Sequence, residues 1–539
     1  MDNEHKANVK KAAASRPSWF QLVLRQDTLT PEIRSHRCDG LGTDESPFIV
    51  TFFPGDPRDP QQFPRWARWL LCIATGLVTF GVTFGSSSFS SIVGETTREF
   101  GGSAELGTLG VSLFVIGFVL GPFAWAPTSE LFGRQYIFLF TNFAHTAFNV
   151  GTCFAQDQAT LLVLRFFSGA FGAAPLTNAG GVIADCFQPA ERGLALTVFS
   201  LVPFLGPVLG PIVGGFVAES VGWRWVMGIT SILTGSGLIM CTLSLPETYA
   251  PVLLRRRAAR LSKETGKVYI SAMDVNKGKG LNTSFLMMIS RPWLLLIFEP
   301  IIFCLSLFQA VVFGTLYLTF AAFPIVFNEA RHWSQGISGL AFLGQMVGAI
   351  IAIFYIIWDN NRYIKKLEQS PDHFLPPEAR LPACMLGAVA VPIGLFWFAW
   401  TNGADIHWIV SIIGTGFFGF GIAVISLGIF NYIVDAYTIF AASALAGAVV
   451  LRSIFAAVFP LFTPVMYQNL GIHWASSVPA FLALALTPFP VIFYRYGAAI
   501  RRKCRYAVQA ADYLKQARKP ADDTIISKDE PVKEKEATV

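Results

Sequence analysis

Long apolar runs separated by short polar connections make up most of the chain. Twelve of these runs reach about 20 residues, the length that a helix needs to cross a bilayer. The predicted spans cover residues 66–87, 105–125, 136–155, 160–184, 193–217, 223–245, 293–318, 335–357, 382–401, 407–432, 438–466 and 475–496. Because backbone groups in lipid must bond within the segment, these runs predict helices rather than open strands. We therefore expect an all-α polytopic membrane protein.

Polar segments divide the twelve spans into two groups of six. The predicted parts are a cytoplasmic, largely disordered tail (1–65), a six-helix bundle (66–245), a basic cytoplasmic loop (246–292), a second six-helix bundle (293–496) and a cytoplasmic C-terminal tail (497–539). Within the first tail, the apolar patch Trp19–Leu24 would lie on the membrane surface. The arrangement predicts two bundles related by an axis along the membrane normal, with a central cavity between them.

Lysine and arginine residues indicate the orientation in the membrane. They are concentrated in both tails, in the middle loop and in the connection between spans eight and nine, whereas the opposite loops carry chiefly Arg98 and Arg331. By the positive-inside rule the basic side faces the cytoplasm, so both termini should be cytoplasmic.

The composition excludes several classes of function. Charged residues make up 14% of the chain, against about 25% in soluble proteins. The eight cysteines form no CxxC pair, which indicates small apolar packing residues rather than a disulfide or metal framework. No GxxxxGK[ST] loop and no cluster of metal ligands occurs, so we expect neither an enzyme nor direct ATP hydrolysis, and no metal, cofactor or nucleic-acid partner.

The stretch Leu201–Phe216 is apolar throughout but rich in glycine and proline. Its glycines Gly206, Gly210 and Gly214 repeat every four residues, so on a helix they drift only about 40° per step. Such a stripe of small residues lets another helix approach closely. The pattern predicts a kinked, tightly packed transmembrane helix at a moving interface, or a close-packed helix without a gating role.

The connection between spans two and three contains Glu130, Gly133 and Arg134. An acid and an arginine in a short loop can join neighbouring helix ends by a charge-assisted hydrogen bond. This connection resembles the loop motif of the major facilitator superfamily, although Leu131 and Gln135 replace two of its basic residues. The resemblance implies that Glu130 and Arg134 act in gating.

Arg165 lies inside the fourth span, where an arginine costs about 2.5–3.5 kcal/mol on insertion scales. Its surroundings resemble the fourth-helix motif of the same superfamily, which implies a role in proton transfer; the alternative is a structural arginine bonded to backbone carbonyls. The segment with Gly210, Pro211, Gly214 and Gly215 is similar to the fifth-helix signature of drug:proton antiporters, which implies export.

Further segments, among them 245–251, 377–382 and 431–437, are similar to the fungal twelve-helix branch of these antiporters. The resemblance implies a monomeric, proton-coupled exporter of small organic molecules such as drugs, toxins or secondary metabolites, working by alternating access in the lipid bilayer. It needs no cofactor beyond the proton gradient. The plasma membrane is the implied location, with a vacuolar or vesicle membrane as the alternative. A polyamine exporter, a nutrient or vitamin importer and a non-transporting membrane sensor remain alternative functions.

Few titratable residues lie inside the spans. The candidates for proton coupling are Arg165, His145, Glu299 and Asp435. His145 could instead be a hydrogen-bonded packing residue, Glu299 is expected one to two turns into span seven, and Asp435 could be a gate partner or a structural cap. Arg452 in span eleven is predicted to be structural. Polar residues that could contact substrate are Asn142, Gln309, Tyr317, Gln345 and Asn431.

Overall fold

The computed structural model describes residues 17–26, 29–36, 38–200, 202–275, 281–370 and 375–518. In its first half the helices are α1 (Trp19–Leu24), α2 (Pro31–Ser35), α3 (Arg65–Ser88), α4 (Val93–Phe100), α5 (Ala104–Phe132), α6 (Arg134–Cys153), α7 (Gln158–Cys186), α8 (Pro189–Ser200), α9 (Val202–Val221), α10 (Trp223–Ser244) and α11 (Ala250–Thr265). In its second half they are α12 (Leu281–Phe298), α13 (Pro300–Phe323), α14 (Gln335–Gly339), α15 (Leu343–Gln369), α16 (Leu381–Thr401), α17 (Trp408–Tyr437), α18 (Ala441–Leu486), α19 (Pro488–Arg501) and α20 (Arg505–Arg518). The strands β1 (Phe48–Val50) and β2 (Tyr269–Ser271) form a parallel pair.

Ten helical segments in the described part of the chain are long and apolar enough to cross a membrane. The longest, Ser443–Arg501, has 59 residues and is interrupted at Gly471, whose φ of 73° lies outside the helical region. Two predicted spans, 438–466 and 475–496, lie on either side of this break. Helix α6 is polar enough to fall outside the ten but has 20 residues, which suffices for one crossing. Among the described residues, dividing the longest segment and including α6 gives twelve helices long enough for one crossing.

The start of predicted span seven is wrong. The apolar run 293–318 contains a helix break at Glu299, which has an extended backbone (φ −108°, ψ 98°) and precedes Pro300. A residue before proline is driven away from the helical region, while proline itself fits the first turn of the next helix. Glu299 therefore stands at the beginning of α13 and not one to two turns inside it.

The expectation of a largely disordered tail over 1–65 is also wrong where the chain is described. Residues 1–16 lie outside the described part, but α1, α2 and β1 are ordered. Helix α1 packs on α10, whereas α2 and β1 contact the segment that follows the first bundle. Arg257 of α11 forms a buried, two-bonded ion pair with Asp56 at 2.6 and 3.1 Å. Arg58 donates to the carbonyl of Leu22 at 2.9 Å. Helix α1 is thus docked on protein by its buried residues rather than lying free on a membrane surface.

We call the end of the bundles that carries this docked segment, α11 and α20 the tail side, and the opposite end the far side. The two bundles meet chiefly where α5 packs on α18 and where α9 packs on α14. One continuous apolar core extends through both bundles. Charged groups that are buried inside this frame are few, which makes each of them a candidate for function.

Candidate functional site

On the tail side of the first bundle, Arg134 connects three helices. Its Nε donates to Asp185 of α7 at 3.3 Å, and Nη1 donates to Ser129 of α5 at 3.0 Å. The guanidinium also lies over the ring of Tyr249 at 4.8 Å. The sequence identified Arg134 but not its acidic partner, which is Asp185. Half-buried Glu130, the acid of the predicted motif, lies in the last turn of α5, just before the loop.

Gly133 is required by its surroundings for two separate reasons. Its φ of 103° belongs to a region that only glycine adopts without strain. A Cβ at this position would stand 2.0 Å from Oε2 of Glu247. That carboxylate accepts four backbone N–H groups, from Arg134, Gln135, Thr248 and Tyr249, at 2.8–3.4 Å. Burial raises the pKa of the Glu247 carboxyl, whereas the N–H donors act in the opposite direction.

The replacement of a motif base by Gln135 has a structural explanation. Its side-chain amide is buried and donates to the carbonyls of Val23 at 2.7 Å and Leu245 at 2.8 Å. A charged residue at this position would have to be buried, which is costly. Gln135 instead joins α6 to the docked N-terminal segment.

The second bundle repeats this arrangement on its own tail side. Nε of Arg380, before α16, donates to Asp435 at the end of α17 at 3.0 Å, and its guanidinium lies 3.5 Å from the Tyr363 ring centre. Arg134 and Asp185 occupy the corresponding third and fourth spans of the first bundle. The sequence halves share no strong identity, so this matching pair of ionic contacts appears only in the structure. Asp435 thus has a gate-like ion pair outside the membrane centre.

Glu299 is completely buried on the tail side of the second bundle. Its Oε2 accepts from the hydroxyl of Tyr437 at 3.0 Å, and its Oε1 accepts from the backbone N–H of Tyr506 at 2.8 Å. Nearby, Arg501 makes a bidentate contact with Glu378 at 2.7 Å. These carboxylates connect helix ends within one bundle and do not face the space between the bundles.

Arg165 is fully buried on α7 and is bonded to backbone carbonyls. It donates to the carbonyls of Gly110 at 3.2 Å, Gly85 at 2.9 Å and Ser86 at 3.5 Å. Its guanidinium also stacks against Phe114, 4.2 Å from the ring centre. This is the structural arrangement that the sequence left as the alternative, and it fastens α3 and α5 to α7.

His145 has both ring nitrogens engaged. Nδ1 contacts the carbonyl oxygen of Ser168 at 2.7 Å, and Nε2 is 3.0 Å from the amide nitrogen of Asn149. A neutral ring that donates through Nδ1 and accepts through Nε2 satisfies both contacts. The fully buried ring therefore packs α6 on α7, as the hydrogen-bonded alternative expected.

The glycine stripe of α9 packs on the last turns of α3. A Cβ on Gly206 would stand 2.0 Å from Oγ1 of Thr83, and one on Gly210 would stand 2.1 Å from Oγ of Ser87. Gly214 is slightly looser, at 3.1 Å from the Ser88 carbonyl. The stripe is therefore an internal contact of the first bundle, and it leaves the rest of α9 free to meet the second bundle.

The remaining signature residues form the contact between bundles on the far side. A Cβ on Gly215 would stand 2.8 Å from the carbonyl oxygen of Gln335, and one on Gly339 would stand 2.7 Å from that of Pro211. Glu219, one turn further, accepts from the backbone N–H of Gly336 at 3.0 Å. Helices α9 and α14 thus meet backbone to backbone and close this face.

A second contact between bundles lies deeper in the membrane. The hydroxyl of Tyr317 on α13 is 3.0 Å from Oγ of Ser86 on α3, and both residues are buried. Arg165 holds the backbone of the same Ser86. Beyond this bond, towards the far side, lies a cavity of about 580 Å³. Its lining includes Pro211, Phe320, Phe342, Pro460, Glu95 and Glu329.

The other predicted substrate residues are dispersed. Asn142 is fully buried, and neither atom of its amide has a hydrogen-bond partner. Gln345 donates weakly to Thr319 at 3.4 Å. Gln309 shares the α13 face with Tyr317, two turns away, and Asn431 is half-buried on α17. The structure therefore brings Gln309 and Tyr317 onto one surface and leaves Asn142 on a separate helix.

Sequence reasoning missed Ser86, Asp185 and the acidic lining of the far-side cavity. Ser86 belongs to a run of three serines that matches no motif, and Asp185 lies near the end of an apolar helix, also outside any motif. Glu95 was hidden because it follows the first predicted span in what resembled a loop. Only the distance to residues remote in sequence identifies them.

Comparisons with known proteins show the family of this chain. The model of the Major Facilitator Superfamily matches residues 75–451. The chain is 53% identical over 527 residues to the "Major facilitator superfamily multidrug transporter mdrA" of Aspergillus fumigatus, covering 96% of this chain and 87% of the relative. It is 53% identical over 501 residues to the "MFS-type efflux pump MFS2" of Trichophyton rubrum, covering 93% and 84%. Among solved structures, the Escherichia coli xylose transporter XylE in a partially occluded inward-open conformation has a TM-score of 0.59 at 17% identity, over 80% of this chain and 98% of XylE. This chain belongs to the Major Facilitator Superfamily.

Proposed function

We propose that the protein exports small organic molecules by alternating access, driven by the proton gradient. The observation that carries the proposal is the closure between the bundles on the far side. Gly215 and Gly339 let the backbones of α9 and α14 touch, and each bundle retains its own tail-side ion pair. Two bundles that are internally fastened and meet through separable contacts can rock as rigid bodies.

Export, rather than import, is supported by the names of the relatives, which include a multidrug transporter and an efflux pump. The carboxylates Glu95 and Glu329 line the far-side cavity, where protons would enter during antiport. Glu95 and Glu329 are therefore further candidates for proton coupling. His145, Glu299 and Asp435 are engaged within single bundles, so we rank the two cavity carboxylates above them.

The test is expression of the full chain in a yeast strain that lacks its own pumps, with a panel of toxic compounds. Export predicts lower accumulation of some compounds than in the empty-vector strain, and a protonophore should abolish the difference. Retention of every compound at the empty-vector level would contradict export. Uptake that exceeds the control would favour the importer.

The closure is tested with paired glycine variants. Gly215→Leu should trap the bundles apart on the far side and abolish export, because a Cβ there meets the Gln335 carbonyl at 2.8 Å. Gly180→Leu is the matched control, since a Cβ at that helical position meets nothing within 4 Å. Equal export by the two variants, at equal surface expression, would show that export does not need the close contact between α9 and α14.

A further inference from the structure

One face of α13 carries a short row of polar and aromatic side chains. Gln309, Phe313 and Tyr317 are spaced by four residues, so they lie one above another on the same side of the helix. The guanidinium of Arg452 on α18 lies 4.8 Å from the ring centre of Phe313. Arg452 therefore faces this row one turn on the tail side of the Ser86–Tyr317 bond.

Arg452 differs from Arg165 in having no hydrogen-bond or ion-pair partner among the residues that the structure describes. Its Nε is buried and donates a hydrogen bond to no residue that the structure describes. Arg165, in contrast, donates to three backbone carbonyls. Arg452 is the twelfth residue of α18, about 16 Å along the helix, which places it near the centre of a hydrocarbon core about 30 Å thick.

An unpaired guanidinium at this depth needs a compensating group. The ring of Phe313 supplies a cation–π contact but accepts none of the five N–H donors of arginine. Gln309 is 7% exposed and likewise makes no hydrogen bond with any residue that the structure describes. Two donor-bearing side chains thus face the same strip between α13 and α18, and no carboxylate of the described chain pairs with either.

We propose that Arg452 binds a carboxylate on the transported molecule, with the Gln309 amide as a second donor and Phe313 against the attached apolar part. Arginine and carboxylate match in a planar, two-bonded geometry, which makes this anion the best fit. The inference rests on the proposed export function and specifies its substrate class as organic acids. A cation such as a polyamine would meet a like charge at this position.

The test uses the full chain in inside-out vesicles from the pump-deleted yeast, with 1-pyrenebutyrate and its primary amide as probes. The two molecules share shape and apolar area and differ in charge. We expect energised vesicles to accumulate the acid in preference to the amide. Arg452→Gln should lower accumulation of the acid roughly ten- to a hundredfold, the effect of losing a charged hydrogen bond. Arg452→Lys, which keeps the charge, should retain part of the preference.

Binding is measured separately from transport. The acid, and not the amide, should raise the melting temperature of the purified protein, and Arg452→Gln should lose that shift while it elutes as a folded species. Equal handling of acid and amide, or an equal loss of both in Arg452→Gln, would overturn the carboxylate site. Export of neutral toxic compounds without either probe would also overturn it and leave the proposed function standing. Absence of all export would instead overturn the proposed function.

Discussion

Gly133→Ala tests whether the loop between α5 and α6 is held by the carboxylate of Glu247. The backbone there has φ 103° and ψ 159°, a region that costs an alanine about 1–3 kcal/mol. The new Cβ would also stand 2.0 Å from Oε2 of Glu247, so the carboxylate must move. Each charged hydrogen bond that it then loses is worth about 1.5–3 kcal/mol. With one bond lost, the variant should be destabilised by roughly 2.5–6 kcal/mol.

Gly222→Ala is the control for backbone strain alone. Gly222 has nearly the same conformation, φ 88° and ψ 166°, and also precedes a helix, but a Cβ there meets nothing within 4 Å. It should lose only the strain, about 1–3 kcal/mol. Thermal unfolding of the purified proteins in detergent, followed by size exclusion, measures both variants.

Combining Gly133→Ala with Glu247→Ala forms a double-mutant cycle. Glu247→Ala removes the four accepted N–H bonds by itself, but it also removes the atoms that the Cβ of Gly133→Ala would strike. The double variant should therefore be less destabilised than the sum of the single variants, by about 1–3 kcal/mol. Equal losses for Gly133→Ala and Gly222→Ala, or strict additivity in the cycle, would refute the contact between loop and carboxylate.

Three further outcomes are expected. Gly210→Leu should abolish export at near-normal insertion, because its Cβ would meet Oγ of Ser87 at 2.1 Å. The control Gly180→Leu should export normally. Efflux, divided by the amount of protein at the cell surface, is compared between the two variants. Tyr317→Phe removes one of the hydrogen bonds between the bundles, worth about 1 kcal/mol, and should shift their equilibrium about fivefold, which spin-label distances on the far side would measure. Asp56→Asn leaves the buried charge of Arg257 without its counter-ion and should lower the free energy of unfolding by about 3–5 kcal/mol. The N-terminal segment should then be cleaved faster by a protease. Unchanged cleavage would mean that other contacts hold this segment.

Much of the fold follows from local chemistry. Apolar runs of span length form helices because lipid leaves the backbone no other partner, and most of the predicted spans contain a helix within a few residues of the expected bounds. The glycine stripe of α9 could be predicted as a close helix contact because spacing alone puts small residues on one face. Gly133 and Arg134 were found by their resemblance to a loop motif.

Other features depend on contacts that no local pattern contains. The break at Glu299 interrupts a continuous apolar run, and only the proline that follows hints at it. The docked N-terminal segment was predicted to be disordered because its composition is polar, yet the ion pair of Asp56 with Arg257 joins residues 201 positions apart. Charge by itself does not reveal a partner that distant.

Sequence alone determined that this chain crosses a membrane as two sets of helices, because hydrophobic length and helical spacing are local properties. Which face of each helix meets which neighbour was decided only by the tertiary structure. Arg165 and Arg452 illustrate the difference, since the sequence places both of them inside predicted spans. The fold surrounds Arg165 with three carbonyls and places Arg452 beside an aromatic ring, where its Nε has no hydrogen-bond partner among the described residues. A buried charge takes its role from what surrounds it, and those surroundings come from helices distant in sequence.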